Sequence, residues 1–226
     1  MSVNQFRFNP AQQVNSMKGR TALERAWPAK KPSEYMNGAL FGASASNYEK
    51  LAHANGSGGT TILFSDIPQN HKNLIIVGNV FNTWSGGAYQ WDMWWNQGSS
   101  TPSSGSDYKR HSNYNYNTNY NYNASASGGV TKFEKVGYTA YNSGNVAYGD
   151  AAGFEMVIPR YSSSVADKGF VCQFAALSHG ESNKNYWGYS GGNKHNTAPI
   201  TEICFYSGMN FSTLTNITIY GLIEAS

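Results

Sequence analysis

Residues 113–123 alternate strictly between asparagine and a tyrosine or threonine, in the run NYNYNTNYNYN. Successive side chains of an extended strand point to opposite faces, so a period of two places every tyrosine of the run on one face and every asparagine on the other. A helix would scatter the same side chains around its axis. The run therefore predicts a β-strand with one aromatic face and one amide face.

The remainder of the chain favours the same class of structure. Only 13% of its residues are charged, about half the share of an ordinary soluble domain, and 15% are aromatic, which suits pleated, half-buried strands. These properties, and turn residues between apolar segments, predict an all-β sandwich or jelly roll over residues 59–226. The predicted strands are Thr60–Ile67, Asn73–Phe81, Tyr89–Trp95, Asn113–Asn123, Thr131–Ala140, Gly153–Tyr161, Gly169–Leu177, Asn185–Ser190, Ile200–Ser207 and Asn216–Ile223.

The first 38 residues have no regular period and are interrupted by Pro10, Pro28 and Pro32. Residues 1–50 hold seven basic and three acidic side chains, a net charge of +4, whereas the rest of the chain has a net charge of −1. A basic segment with so few apolar residues does not form a core of its own. We therefore predict an extended basic N-terminal arm over residues 1–38, followed by an Ala-, Gly- and Ser-rich linker over residues 39–58.

The arm is predicted to bind a partner protein through spaced aromatic anchors and basic side chains. The alternative is a tail whose aromatic residues pack back on its own body. Because the basic residues are spread along the arm and form no cluster, we expect no nucleic-acid partner. The candidate partner-binding residues are Phe6, Arg7, Phe8, Arg20, Arg25 and Trp27.

The sequence contains no pattern typical of catalysis, metal binding or a cofactor. It lacks a Gly-x-Ser-x-Gly elbow, a His-Glu-x-x-His motif, a phosphate loop and a Cys-x-x-Cys motif. Carboxylates such as Asp66, Asp92, Glu155 and Glu202 could pair as they do in glycosidases, but the spacing in one sequence does not show such a pair. We expect a protein that is not an enzyme and holds neither metal nor cofactor.

The location of the protein is predicted from what its segments lack. No apolar run is long enough to span a membrane, and residues 1–10 lack the apolar core of a secretion signal. We therefore expect assembly in a cytoplasm and no membrane partner. Cys172 and Cys204 lie inside apolar segments, which favours buried free thiols, although a disulfide stays open at this point.

Three interpretations of the Tyr/Asn run remain open, of which one is an ordered loop. Tyr114, Tyr116, Tyr120 and Tyr122 could stack on sugar rings of a host receptor, or they could cover the sandwich or a neighbouring subunit, as cross-strand aromatic residues do. The same choice applies to Trp84, Trp91, Trp94 and Trp95, and because Trp91 and Trp95 share one strand face, a core or an interface is favoured.

Three motifs resemble a domain that recurs in structural proteins of tailed bacteriophages. Thr60–Val80 (TTILFSDIPQNHKNLIIVGNV) is similar to its first hairpin, Phe154–Ser164 (FEMVIPRYSSS) to its middle strand, and Ile200–Leu222 (ITEICFYSGMNFSTLTNITIYGL) to its closing strand pair. The chain departs from the pattern at Leu214 or Thr215, where the family usually has glycine. The Tyr/Asn run and the loop before it are further departures.

The resemblance implies a jelly-roll-like antiparallel β-sandwich with an extended N-terminal arm, carried on a virion and assembled in the host bacterium. It implies a homo-oligomer, often a trimer, and other virion proteins as partners, either the major capsid protein or tail proteins. One predicted function is capsid decoration, with the arm clamping neighbouring capsid subunits as a cement protein does. The alternative is a tail, baseplate or fibre-tip protein that contacts the host receptor. A third class, an enzyme acting on host polysaccharide, has no support from particular residues.

Overall fold

The computed structural model describes residues 48–84, 88–102, 108–116, 120–141, 151–178 and 184–222. Within these ranges the chain forms strands and turns and contains no helix, so no segment there is a helix able to cross a membrane. The strands are β1 (Tyr48–Asn55), β2 (Thr61–Phe64), β3 (Leu74–Asn79), β4 (Phe81–Asn82), β5 (Tyr89–Trp95), β6 (Tyr108–Tyr116), β7 (Tyr120–Val130), β8 (Phe133–Tyr141), β9 (Ala151–Ile158), β10 (Lys168–Ser178), β11 (Lys184–Lys194), β12 (Ile203–Ser207) and β13 (Asn216–Leu222).

The strands form two sheets that pack face to face as a β-sandwich, which confirms the predicted fold class. The eight-stranded sheet has the order β1-β13-β3-β9-β10-β11-β6-β7, and the five-stranded sheet has the order β2-β12-β5-β8-β4. The strand pairs from β13 to β7 in the large sheet and from β2 to β8 in the small sheet are antiparallel, whereas β4 pairs with β8 in parallel over two residues.

The beginning and the end of the body pair with each other. β2 pairs with β12 in the five-stranded sheet, and β3 pairs with β13 in the eight-stranded sheet. The hairpin expected over residues 60–80 and the strand pair expected over residues 200–222 are therefore not formed. After β2 and again after β12 the chain crosses to the other sheet, which lets each of these strands bury its apolar face in the common core.

Aromatic side chains fill the space between the sheets. The ring of Trp91 lies 5.0 Å from that of Phe154 in the opposite sheet and 5.5 Å from that of Phe205 beside it. Phe133 makes edge contacts with Trp95 and Phe170 at 4.8 Å each. The predicted core role of the tryptophans in β5 is confirmed, since all three are almost fully buried.

Strand β1 lies inside the segment predicted as a linker. Its Leu51 and two alanines pack against the core, and its His53 ring lies 2.9 Å from the hydroxyl of Thr218 on β13. A composition rich in small residues predicts a linker, but the apolar residues Leu51, Ala52 and Ala54 of this segment pack on the core as part of a strand. The described sandwich therefore begins at Tyr48, and not at residue 59.

The Tyr/Asn run is a hairpin and not one strand. Its first half ends β6 and its second half begins β7, and the register pairs Tyr114 with Tyr122 and Tyr116 with Tyr120. The alternation predicted extended backbone correctly on both sides. It carried no signal for the reversal because the asparagines in the run are as acceptable in turns as in polar strand positions.

Both cysteines are free and buried, as expected. Cys172 lies on β10 of the large sheet and Cys204 on β12 of the small sheet. Burial raises the pKa of Cys204 to about 12 and raises the pKa of Cys172 further above the ordinary thiol value. Neither thiol is therefore an activated nucleophile.

Thr215 connects the crossover between β12 and β13 to Phe81, the first residue of β4, by hydrogen bonds. Its hydroxyl donates a hydrogen bond to the Phe81 carbonyl at 2.8 Å and accepts one from the Phe81 amide at 2.9 Å. The residue is fully buried, and its carbonyl accepts a hydrogen bond from the Gly56 amide. At this position, where the resembling pattern favours glycine, a threonine side chain supplies hydrogen bonds that glycine could not.

Replacing Thr215 with valine tests this arrangement. The substitution keeps the shape but removes both side-chain hydrogen bonds, so we expect a loss of about 1–3 kcal/mol in the free energy of unfolding. Urea denaturation measures this loss. Thr213→Val is the matched control because Thr213 is exposed in the same turn, and equal midpoints for the two variants would contradict the assigned role.

Replacing Gly137 with alanine tests the fit of the central tryptophan. A Cβ atom at Gly137 would lie 2.6–2.7 Å from atoms of the buried Trp91 indole, so we expect a destabilisation of about 1–3 kcal/mol from overpacking. Gly153→Ala is the control, since the nearest atom to its added Cβ is 3.7 Å away. A thermal-unfolding comparison in which Gly137→Ala is as stable as Gly153→Ala would refute the proposed steric constraint.

Candidate functional site

The described residues contain few side chains arranged for chemistry. No group of three His, Cys, Asp or Glu side chains there is close enough to hold a metal ion. His195 pairs with Asp167 at 2.8 Å, but its side chain is 83% exposed. A pair so open to water has none of the surrounding structure that would position it against a substrate.

Lys168 is the most deeply buried cation of the described chain, and all three hydrogens of its ammonium group are donated in hydrogen bonds. Nζ donates hydrogen bonds to the carbonyls of Ser163, Ala166 and Thr197 at 2.5–3.0 Å. Burial lowers the pKa of Lys168. The side chain therefore joins two loops and is not available as a catalytic base.

The outer face of the eight-stranded sheet is the most distinctive surface of the described body. Along β9 and β10, residues alternate between buried and exposed, and the exposed set faces away from the five-stranded sheet. Four large apolar side chains are exposed on this face, namely Val157, Val171, Trp187 and Tyr189. A concentration of exposed apolar side chains on one face marks a candidate interaction surface.

Trp187 and Tyr189 border an open depression of about 340 Å³, which we call the aromatic trough. Trp187 is 51% exposed and Tyr189 is 58% exposed. In register beside Trp187 lie Ala175 on β10 and then Gly153 on β9. These two small residues leave the space next to the indole open, so the trough exists because the row combines one large ring with two minimal side chains.

Polar side chains form the next row of the same face. Tyr189 stands opposite Gln173, which stands opposite Glu155, and the Gln173 amide nitrogen lies 3.4 Å from the Glu155 carboxylate. On the other side of β11, Asn113 is opposite Tyr189 and Asn115 is opposite Trp187. The trough therefore has rings, amides and one carboxylate around it.

The sequence Trp187-Gly188-Tyr189 creates this surface by simple alternation. The two aromatic residues point outward and Gly188 lies on the buried side. A Cβ atom at Gly188 would lie 2.2 Å from the Asn113 carbonyl oxygen and 2.6 Å from Tyr114 Cα, so only glycine permits the close approach of β6. Gly188 thus allows the asparagines of β6 to lie beside the exposed rings.

A cluster of tyrosines supports the sheet from inside. Tyr138 stacks on Tyr186 with ring centroids 4.1 Å apart, and Tyr114 makes an edge contact with Tyr138 at 5.0 Å. The Tyr138 hydroxyl accepts a hydrogen bond from Gln90 at 2.8 Å, and burial raises its pKa far above the ordinary tyrosine value. Tyr138 therefore stays neutral, and the three rings act as packing.

The structure separates the residues proposed from sequence. Tyr114 is buried, with 7% of its surface exposed, so this member of the run packs inside and does not face a receptor. The side chains of Tyr116, Tyr120 and Tyr122 lie outside the described part of the chain, as do all six arm residues proposed to bind a partner. The outward face at β6 carries Asn113 and Asn115 instead.

The trough residues were not singled out from the sequence. Trp187 and Tyr189 belong to the predicted strand Asn185–Ser190, and their period of two is visible there. What the sequence does not show is which of the two faces is covered by the second sheet. That depends on strand order, which brings Gly153, Ala175 and Trp187 into one row.

Comparisons of the chain with known protein families, with curated proteins and with solved structures found no match.

The packing role of Tyr114 can be tested against an exposed tyrosine on the next strand. We expect Tyr114→Ala to lower the free energy of unfolding by about 3 kcal/mol, because it removes a buried ring and leaves a cavity. Tyr189→Ala removes an exposed ring and should change stability by less than about 0.5 kcal/mol. Chemical denaturation measures the free energy of unfolding of both variants. Similar losses in the two would show that the Tyr114 ring is not part of the core.

Proposed function

We propose that this chain is a non-enzymatic structural protein of a bacteriophage particle, and that the outer face of its eight-stranded sheet is a contact surface. The single observation that carries the contact role is the exposure of Trp187 and Tyr189 around the aromatic trough. Of the two positions on a particle considered from the sequence, this surface favours the tail, baseplate or fibre-tip position, where the body meets the host.

The assignment to a phage particle is supported by the three resembling motifs in the sequence. They lie on β2, β3, β9, β12 and β13. Three of these strands are consecutive in the large sheet, in the order β13-β3-β9, and the other two pair in the small sheet. Motifs far apart in sequence thus lie together, but the strands of the first and last motifs pair with each other and not as the hairpin and the closing pair of the resembling pattern.

The absence of enzymatic activity is supported by the chemistry of the trough. Glycoside hydrolysis ordinarily requires two carboxyl groups that flank the scissile bond. Among the described residues lining the trough, Glu155 is the only carboxylate. The arrangement suits binding without cleavage.

Capsid decoration is the second candidate, and the charge of the N-terminal segment favours it. A net charge of +4 over residues 1–50 fits an acidic seam between capsid subunits. In this case an oligomer, by our prediction a trimer, would cover the seam and stabilise the closed shell by multivalent binding.

Immunogold electron microscopy of particles, with an antibody raised against the purified chain, tests the proposal. Label at the tail or fibre tip supports the first candidate, and label over the head supports the second. Protein that is present in the lysate but absent from purified particles would refute both.

Deleting residues 1–38 tests the arm. Residues 49–224 form a compact unit, so we expect the shortened chain to fold but to lose incorporation into particles, measured by immunoblotting of particles purified from complemented infections. Changing Arg7, Arg20 and Arg25 to glutamine should reduce incorporation, whereas changing them to lysine should preserve it. Full incorporation of the shortened chain would eliminate the tether role.

A further inference from the structure

We propose that the aromatic trough binds an uncharged oligosaccharide, with one sugar ring stacked on the Trp187 indole. This inference rests on the proposed function, in which the outer face meets the host, and it names the class of ligand that the face takes. It concerns residues on β6, β9, β10 and β11 that are all described.

The first argument is that the exposed indole of Trp187 lies beside two residues with minimal side chains. A pyranose has a face of C–H groups that packs well on a flat aromatic surface, and the Trp187 ring is half exposed next to Ala175 and Gly153. Adjacent strands are about 4.8 Å apart, so this three-residue row spans about 10 Å. A flat ligand can lie along the row without displacing any side chain.

The second argument is the set of hydrogen-bonding groups. Sugar hydroxyls both donate and accept hydrogen bonds, and amides offer both functions while a carboxylate accepts. Gln173 and Glu155 border the trough on one side, and Asn113 and Asn115 lie across β11 on the other. A purely apolar protein partner would leave these groups desolvated without hydrogen bonds, at a cost in binding free energy.

The third argument is charge. Within the described lining of the trough, Glu155 is the only charged residue, and no lysine or arginine is present. A phosphorylated, sulfated or carboxylated glycan would therefore meet a negative group and no compensating cation. The lining favours neutral hexose or N-acetylhexosamine units over acidic ones.

The shape of the trough fits a surface ligand of this kind. Its volume of about 340 Å³ falls near the lower end of the range for small-molecule sites, about 300–1,000 Å³. It is open to solvent along the sheet, so a chain of sugars can continue beyond the ring that occupies it. This openness suits recognition of a polysaccharide segment on a cell surface.

A second copy of the chain is the competing occupant of the same face. Val157 and Val171, which are opposite each other on β9 and β10, extend the apolar surface beyond the trough. However, the polar row of Glu155 and Gln173 separates these valines from the row of Trp187. Glycan binding uses the trough and this polar row together, whereas a copy interface would bury the carboxylate.

The experiment uses the full-length protein on an array of immobilised neutral oligosaccharides, built from glucose, galactose and N-acetylglucosamine units, with sialylated and phosphorylated counterparts beside them. Affinities for bound glycans are then measured by isothermal titration calorimetry. We expect binding to neutral members only. Trp187→Ala should weaken binding roughly tenfold or more, as loss of a central aromatic anchor does.

Two further variants make the test specific. Ala175→Leu adds volume to the trough at an exposed position, so binding should fall by a similar factor while the protein keeps its near-ultraviolet circular dichroism and melting temperature. Trp84→Ala removes the other exposed tryptophan of the described residues and should leave binding unchanged. Normal glycan binding by Trp187→Ala or Ala175→Leu overturns the proposal, as does binding to acidic glycans alone.

The proposal is also overturned if the protein binds none of the glycans on the array. Light scattering identifies a second copy of the chain as the occupant of the trough if the wild-type protein self-associates and Trp187→Ala makes it monomeric. Immunogold labelling separates this result from failure of the proposed function. Labelled particles without glycan binding leave the virion role intact and remove only the sugar ligand.

Discussion

The pairing of the first strands of the sandwich with the last strands is the constraint on which the rest of the structure depends. β3 pairs with β13 and β2 with β12, so each sheet contains one strand from either end of the body. The described strands β4 to β11 lie between these two pairs in the sequence. The pairs are long-range in sequence, and the closure entropy of such contacts is recovered only when apolar faces are buried. Leu74, Ile76, Ile217 and Ile219 supply that burial in the large sheet.

The aromatic core follows from this closure. Once β12 lies beside β5, Phe205 meets Trp91, and Trp91 reaches Phe154 of the opposite sheet. Gly137 leaves the space that the indole occupies. Since packing at this density leaves little room for other solutions, the large side chains of β5 determine the spacing and the relative placement of the two sheets.

The outer face shows how the same sheet can serve a second purpose. A strand in a sandwich must bury one side, but nothing in the packing determines what its other side carries. On β11 that side carries Trp187 and Tyr189, whereas the buried side carries Gly188 and Ser190. Tyr186 also lies on the inner side and stacks on Tyr138, but over residues 187–190 two large rings lie outside and two small residues lie inside, which reverses the usual order for a surface strand. This reversal is a reason to regard the face as a binding surface, because stability of the fold does not require it.

Several features were predictable from the sequence for physical reasons that operate locally. Period-two alternation predicted extended backbone in Asn113–Asn123 and Tyr89–Trp95, and the apolar surroundings of Cys172 and Cys204 predicted buried thiols. Other features were not predictable, because they depend on partners distant in the chain. The small residues of β1 indicated a linker until their contacts with the core were known, and the Tyr/Asn run gave no sign of its reversal.

The sequence by itself determined that the described body is built from strands and where most of them lie, although not β1 or the division of the Tyr/Asn run. It also determined that the apolar and aromatic residues must be divided between two faces. Only the tertiary structure decided which face is covered. It buried Tyr114 against Tyr138, turned Asn113 outward, and placed Trp187 beside Ala175 and Gly153. The physical reason is that alternation specifies two sides of a strand but not their environment. That environment is set by the order of strands in the sheet and by the second sheet packed against it.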